Sequence, residues 1–294
     1  MKHRLLEIAA QLAQPETAAR RETVLHFLSR AGISHEVRTG HAKPDPGGFA
    51  LFTQSVPKTE VEVQNIIVRP LDNDGPKLVI GAHYDAFPGS PGANDNASGM
   101  AVLLALAQEL SRSGCDKAVE LVFFDAEESG RAGSIAYLAE CASDQVAGMV
   151  NLDVCGYGDT LCVRCMKKTP LLRNFTDKAR LRRFDGEEVC YLPDSDDKTF
   201  TKGHIPALSV AMLPRWDSAI LPALKDYANG FLGIPPELRE QVGSMEIMST
   251  LHGGPRDNPG YLSKAAMRRV LDFVLDALNA PLSKRTLWQT LTGK

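Results

Sequence analysis

The sequence predicts a single α/β domain with a mixed, mostly parallel central sheet flanked by helices. Three observations lead there. Apolar runs of strand length alternate with stretches of helical periodicity along most of the chain. Residues 117–124 are almost continuously apolar, the pattern of a strand covered on both faces. The chain shows no repeat period, and 294 residues with 44% apolar content are ample for a buried core.

Residues 2–31 alternate apolar and polar positions at helical spacing and are interrupted at Pro15, which gives two successive helices. A Gly/Pro-rich stretch over 40–48 reads as a loop. Residues 61–71 and 77–82 read as strands joined by the turn-forming Asp72-Asn73-Asp74-Gly75-Pro76. Residues 96–110 are strongly helical, with Asp95 and Asn96 available as caps. After the strand at 117–124 come a helix near 132–142, strands at 147–153 and 160–165, and a helix near 169–181. A short strand near 188–192, a helical turn at 196–203 and a strand at 206–213 follow. Residues 214–250 are the least regular and read as an insertion over one end of the sheet, within one domain spanning 1–294. An amphipathic helix over 262–278 closes the pattern.

A net charge of -3 and the lack of any long basic run leave no electrostatic footprint for nucleic acid or an anionic membrane. The N-terminal residues include bases but no apolar run of signal-peptide type, and no segment approaches the roughly 18 apolar residues of a span. The expectation is a cytoplasmic chain with no membrane segment. The six cysteines, at 115, 141, 155, 162, 165 and 190, lie largely in strand or helix patterns and read as small buried hydrophobes in a reduced protein. Cys162 and Cys165 have Cys-x-x-Cys spacing, but on a strand positions three apart face opposite ways, and no second pair completes a zinc site.

Open α/β sheets bind ligands beyond the carboxyl ends of their strands, and the polar groups that carry chemistry gather at such ends here. His83 and Asp85 follow one strand and Asp95 opens the next helix. Asp125, Glu127 and Glu128 follow the strand at 117–124, Asp153 follows another, and His252 comes after the insertion. So dense a carboxylate cluster either keeps several acids protonated or is neutralised by cations. Imidazole mixed with carboxylate favours zinc over magnesium or calcium, and two histidines with three or four carboxylates suit two metals sharing a bridging acid.

These blocks resemble the motif set of a known family. Gly81-Ala82-His83-Tyr84-Asp85, Gly92-Ala93-Asn94-Asp95-Asn96-Ala97-Ser98-Gly99, Phe124-Asp125-Ala126-Glu127-Glu128-Ser129-Gly130, Asn151-Leu152-Asp153-Val154-Cys155-Gly156 and the later His252 are similar to the motifs of the co-catalytic dizinc aminopeptidases. These are the bacterial leucyl aminopeptidase type of clan MH. Ser195-Asp196 with Phe200 and Ile205-Pro206-Ala207 matches a further segment. The resemblance runs in order over roughly residues 60–261 and implies a zinc-exopeptidase-like domain.

Carried over position by position, the resemblance implies two zinc ions per chain, with cobalt or manganese as substitutes. One would take His83, Asp95 and Asp153; the other would take Asp95, Glu128 and His252, so that Asp95 bridges. Glu127 matches the general base, and Asp85 the acid that orients the His83 ring. A cis peptide at Asp95–Asn96 is also implied. The expected activity is a metallo-aminopeptidase acting on small peptide substrates through a two-metal-activated water. Two alternatives stay open: glutaminyl cyclase-type acyl transfer, and a non-catalytic binding protein on the same scaffold. The latter relatives lose ligands, whereas this chain keeps all five with the base.

Three features depart from the family. Asp197 stands where many members have histidine, at a position that is not a ligand. After His252 the chain reads Gly253-Gly254-Pro255-Arg256-Asp257, which places the acid one residue later than the common pattern. The expected lack of a leader also departs from the many secreted members. His26, His35, His41 and His204 fit no block and read as structural or surface residues. Gly156-Tyr157-Gly158 lacks the third glycine of a dinucleotide fingerprint, and no Gly-x-Ser-x-Gly elbow accompanies His252-Gly253-Gly254. Trp216, Tyr227 and Phe231 either wall the substrate pocket or anchor the insertion.

Overall fold

A computed structural model describes residues 1–45, 57–141, 143–228 and 235–282. Two helices, α1 (Leu5–Leu12) and α2 (Thr17–Arg30), flank Pro15 as expected. The first strand, β1 (Glu36–Ala42), is an element the sequence pattern did not mark. It pairs antiparallel with β2 (Val61–Val68), from Glu36 opposite Ile67 to Ala42 opposite Val61. Most of its side chains are only partly buried, so it carries no apolar signal, and pairing with β2 defines it. Residues 40–42 therefore end a strand rather than belong to a loop, while 46–48 lie outside the described residues. The second strand stops at Val68, two residues before Pro70, which has no N–H to give a ladder.

Among the described residues the sheet has eight strands in the order β1-β2-β4-β3-β5-β8-β6-β7, once the remaining strands are placed. They are β3 (Lys77–His83), β4 (Val119–Phe124), β5 (Val146–Leu152), β6 (Thr160–Cys165), β7 (Gly186–Glu188) and β8 (Ala207–Leu213). The central run β4-β3-β5-β8 is parallel, and β2, β1 and β6 enter antiparallel at the flanks. Helices cover both faces. On one, α1, α2, α3 (Gly99–Ser113) and α10 (Lys264–Asn279) pack on Leu78, Ile80, Leu121, Val150 and Val210. On the other, α4 (Ala132–Glu140) and α6 (Asp196–Lys202) bring Tyr137 and Phe200 onto Val79, Val122 and Met149. Alternate residues of β3 thus serve opposite cores, as a doubly covered strand requires.

Several boundaries differ from the sequence pattern for local reasons. The helix expected near 169–181 is broken into a 3-10 turn (Leu172–Thr176) and α5 (Lys178–Arg183). Asp177 makes the break: its side chain accepts the Arg180 N–H at 2.8 Å and starts a new helix. The strand expected near 188–192 instead ends at Glu188, because register with Leu161–Val163 of β6 extends only over Gly186–Glu188. Residues 214–250 form α7 (Arg215–Ser218), α8 (Leu221–Ala228), α9 (Pro236–Gly243) and a 3-10 turn (Glu246–Thr250), with 229–234 outside the described residues. Ser263 caps α10 by accepting the Ala266 N–H. Cys162 packs in the core under the insertion and Cys165 against the main core, on opposite faces of β6. Among the described residues no helix is long and apolar enough to cross a membrane.

Candidate metal centre

The chain leaves β3 for β4 on one side and returns by α4 to β5 on the other, so the strand order reverses beside β3. A crevice opens there at the carboxyl ends of the strands. His83 is the last residue of β3. Asp125, Glu127 and Glu128 follow β4, and Asp153 follows β5. Asp95 lies in the kinked turn Ala93–Ser98 that leads into α3, where the Asp95–Asn96 peptide is cis. Only Asn96 caps the helix: its Oδ1 accepts the Gly99 N–H at 3.1 Å, which leaves the Asp95 carboxylate to face the crevice.

The five sequence-predicted ligand positions meet as two groups. His83, Asp95 and Asp153 bring ligand atoms together in one, and Asp95, Glu128 and His252 in the other. His83 Nε2 lies 3.1 Å from Asp95 Oδ1 and 3.5 Å from Asp153 Oδ1. His252 Nε2 lies 3.5 Å from Asp95 Oδ2 and 3.7 Å from Glu128 Oε2. Asp95 thus presents one oxygen to each group. Ligand atoms about 2.0–2.2 Å from a tetrahedral zinc lie about 3.3–3.6 Å from one another, so this spacing fits the ion. Glu128 Oε1 is buried with no hydrogen-bond partner, the condition of an atom shaped for a cation. Mixed imidazole and carboxylate donors suit zinc chemically as well.

Around these residues the supports are extensive. Asp85 does more than the orienting role read from sequence. Its Oδ1 lies 3.2 Å from His83 Nδ1 and accepts the Glu127 N–H at 3.0 Å, while Oδ2 accepts the Glu128 N–H at 3.0 Å. One carboxylate therefore sets a histidine ring and the backbone of both glutamates. Asp257, one residue late against the family pattern, is buried and accepts the Ala93 N–H at 2.8 Å and the Gly253 N–H at 3.2 Å. It ties the loop of His252 to the approach of Asp95. The Phe87 ring stacks on the His252 ring with centroids 4.6 Å apart. Asp125 turns away from the centre to accept the Gln64 N–H at 2.8 Å.

Backbone strain concentrates at the same place. Ala126 (φ 50°), Val154 (φ 49°) and His252 (φ 50°) all occupy the left-handed region, beside Glu127, beside Asp153 and at a candidate ligand itself. Such conformations cost about 1–3 kcal/mol each and persist where the surroundings over-determine them.

The electrostatics of the cation-free cluster follow from crowding. Burial alone would lower the His83 imidazole, but the charge of Asp153 and bonding to Asp153, Asp85 and Asp95 hold it well above its ordinary value. Burial would raise Asp95, yet His83, His252 and Arg20 together hold it below the usual carboxylate range. Burial pushes Glu127 well up, opposed by His83 and reinforced by the charges of Asp196, Asp153 and Asp85. Glu128 is pushed up by burial and by Asp95. The acids repel one another enough that some keep protons, which a divalent cation would displace.

The crevice continues into a cavity of about 250 Å³. Asp95, Glu127, Glu128, Asp153 and His252 line one end, and Leu213, Leu221, Leu224, Val242, Met245 and Ile247 line the other. The insertion therefore contributes a wall, but an aliphatic one. Trp216 is 84% exposed and does not line the cavity. Tyr227 packs partly buried against the insertion's own core, and Phe231 lies outside the described residues.

Sequence reasoning missed Arg20, Phe87 and Ser90. Arg20 left one faint signal, a charge spaced with Val24 and Phe27 on the apolar face of α2. Phe87 and Ser90 left none, because their partners lie more than 160 residues away in sequence.

Comparison with known proteins places these features in context. The family model described as peptidase family M28 matches residues 65–277. Aminopeptidase YwaD of Bacillus subtilis (strain 168) is 39% identical over 99 residues, 32% of this chain and 22% of that protein. The match thus spans about a fifth of that relative's length. Among solved structures, an aminopeptidase from Aneurinibacillus sp. strain AM-1 superposes with a TM-score of 0.67 at 17% identity, over 98% of this chain and 96% of that one. A glutaminyl cyclase of Porphyromonas gingivalis superposes with a TM-score of 0.64 at 17% identity, over 95% and 97% of the two chains. Both structural likenesses concern the fold.

Proposed function

The chain belongs to peptidase family M28, and on that premise we propose that it is a zinc-dependent aminopeptidase releasing N-terminal residues from short peptides. The supporting observation is the division of one carboxylate: Asp95 gives Oδ1 to the group of His83 and Oδ2 to the group of His252. In this reading His83, Asp95 and Asp153 would hold one zinc and Asp95, Glu128 and His252 the other. Zinc bound there would supply a water of near-neutral pKa and polarisation of a peptide carbonyl.

The chain's own residues do the rest. Glu127 belongs to neither ligand group, yet lines the same cavity. Its N–H donates to Asp85, which fixes the backbone that aims its carboxylate. From that position an ionised Glu127 carboxylate would accept a proton from the attacking water and return it to the leaving amine. The aliphatic end of the cavity would take the N-terminal side chain, so the reading favours bulky apolar residues such as leucine.

Glu127→Gln should leave zinc content and fold intact and lower kcat by about 10²–10⁴-fold. Metal analysis, circular dichroism and turnover of aminoacyl substrates check this together. Near-normal turnover by a zinc-loaded variant would refute the general-base role.

Acyl transfer of the glutaminyl cyclase kind is the competing reading, since a structural neighbour carries that activity in its name. Two complete ligand groups favour hydrolysis. Release of ammonia from a Gln-initiated peptide, faster than release of free amino acid from leucyl peptides, would reverse the preference.

A further inference from the structure

Among the described residues, Arg20 is the bulkiest fully buried side chain to lie outside the matched family segment, with 0% of its surface exposed. Its guanidinium donates to backbone carbonyls. Nε reaches Tyr84 O at 2.6 Å, and Nη1 reaches Pro91 O at 2.9 Å and Gly92 O at 3.2 Å. Nη2 lies 3.5 Å from Met100 Sδ at the start of α3.

The carbonyls of Tyr84, Pro91 and Gly92 belong to the two stems of one loop. Between them lie residues whose side chains organise both ligand groups. Asp85 holds His83 and the backbone of Glu127 and Glu128, and Phe87 stacks on His252. Ser90 donates to Asp257, and Gly92 opens the turn that carries Asp95. The fit at the base is close: a Cβ on Gly92 would sit 2.5 Å from Arg20 Nη1. A planar fork with fixed N–H directions can span two stems at once, which a lysine ammonium cannot.

We propose that Arg20 is a positioning residue of the metal centre, a brace that closes the base of the 84–92 loop and so fixes the side chains orienting both ligand groups. The N-terminal helix pair is then part of the catalytic unit, although its sequence lies outside the family segment. The inference rests on the metal-binding reading for its consequence, but the brace itself is a property of the polypeptide.

The test compares wild type with Arg20→Lys, which keeps the charge and loses the fork. In wild-type protein stripped of zinc, the amides of residues 85–97 stay protected from hydrogen exchange, because the brace does not depend on metal. In zinc-loaded Arg20→Lys the same amides exchange faster, those of β5 and β8 keep wild-type rates, and a chelator removes zinc about tenfold faster. Loss of loop protection on zinc removal alone would overturn the proposal. So would exchange that rises equally in β5 and β8, or a lysine variant that matches wild type in both readouts. A wild-type protein that takes up no zinc would sink the metal reading instead, and the exchange pattern would then decide the brace by itself.

Discussion

At Asp95 and Asp197 the same residue type meets opposite fates, and the surroundings decide which. Asp95 is buried among His83, His252 and Arg20, and their positive character keeps it ionised. Asp197 is also buried, but Arg164 Nη1 approaches no closer than 4.0 Å. Burial pushes Asp197 up to about 6, from an ordinary value of 3.8. Below pH 4 the group is protonated in folded and unfolded chains alike and costs nothing. Between pH 4 and 6 the unfolded chain releases its proton while the folded one retains it, so stability falls as pH rises. Two units correspond to about 3 kcal/mol. Asp197→Asn should therefore match wild type near pH 4 and exceed its unfolding free energy by up to about 3 kcal/mol at pH 8. Urea titrations across that range check it, and parallel pH profiles for the two proteins would count against it. His83, Asp95, Glu127, Glu128 and Asp153 were legible in sequence because each lies close to the end of an apolar strand or the start of an apolar helix. Arg20 was not, since Tyr84 O lies 64 residues away, and Asp257 showed only as an acid displaced by one residue, since the Ala93 N–H it holds lies 164 residues away.

Elements join the centre through a few close approaches, and the start of α3 is the tightest. Gly99 passes against β5 so closely that a Cβ would lie 2.3 Å from Asn96 Oδ1 and 2.7 Å from Leu152 O. Asn96 is held in turn by donating to Leu152 O at 2.8 Å while it caps the helix. Gly99→Ala should displace the helix from the strand and cost about 1–3 kcal/mol of stability. Because the same turn carries Asp95, zinc affinity should fall with it. Denaturant midpoints and competition with a chelator measure the two effects; an unchanged midpoint would show that the turn tolerates the methyl. The long periodic elements, α3, β4 and α10, were readable from the sequence because burial imposes its period on the residues. The edge strand β1 and the short β7 were misread because partner strands create them and little of their surface is buried.

Across the whole molecule, the cavity joins the sheet's carboxyl edge to the helices of residues 214–250, so under the proposed function substrate choice would belong to their assembly. Leu224 of α8 lines the aliphatic end and is 4% exposed. Leu224→Phe should lower kcat/KM for leucyl substrates by about 10- to 100-fold while sparing alanyl ones, since a difference of one or two carbons in such a pocket is worth that much. Equal losses on both would indicate damage to the centre rather than a narrowed pocket. By itself the sequence determined the α/β class and the ordered motif blocks, and it gathered His83, Asp95, Glu127, Glu128 and Asp153 near strand ends and a helix start, because apolar periodicity and strand-end acids are local signals; their ligand and base roles are what the family resemblance of those blocks implies. Tertiary structure alone decided that Asp95 turns one oxygen to each ligand group, that Arg20 and Asp257 brace the loops, and that residues 214–250 give the cavity an aliphatic wall. Each of those depends on groups distant in sequence meeting in space, and no periodicity along the chain records such a meeting.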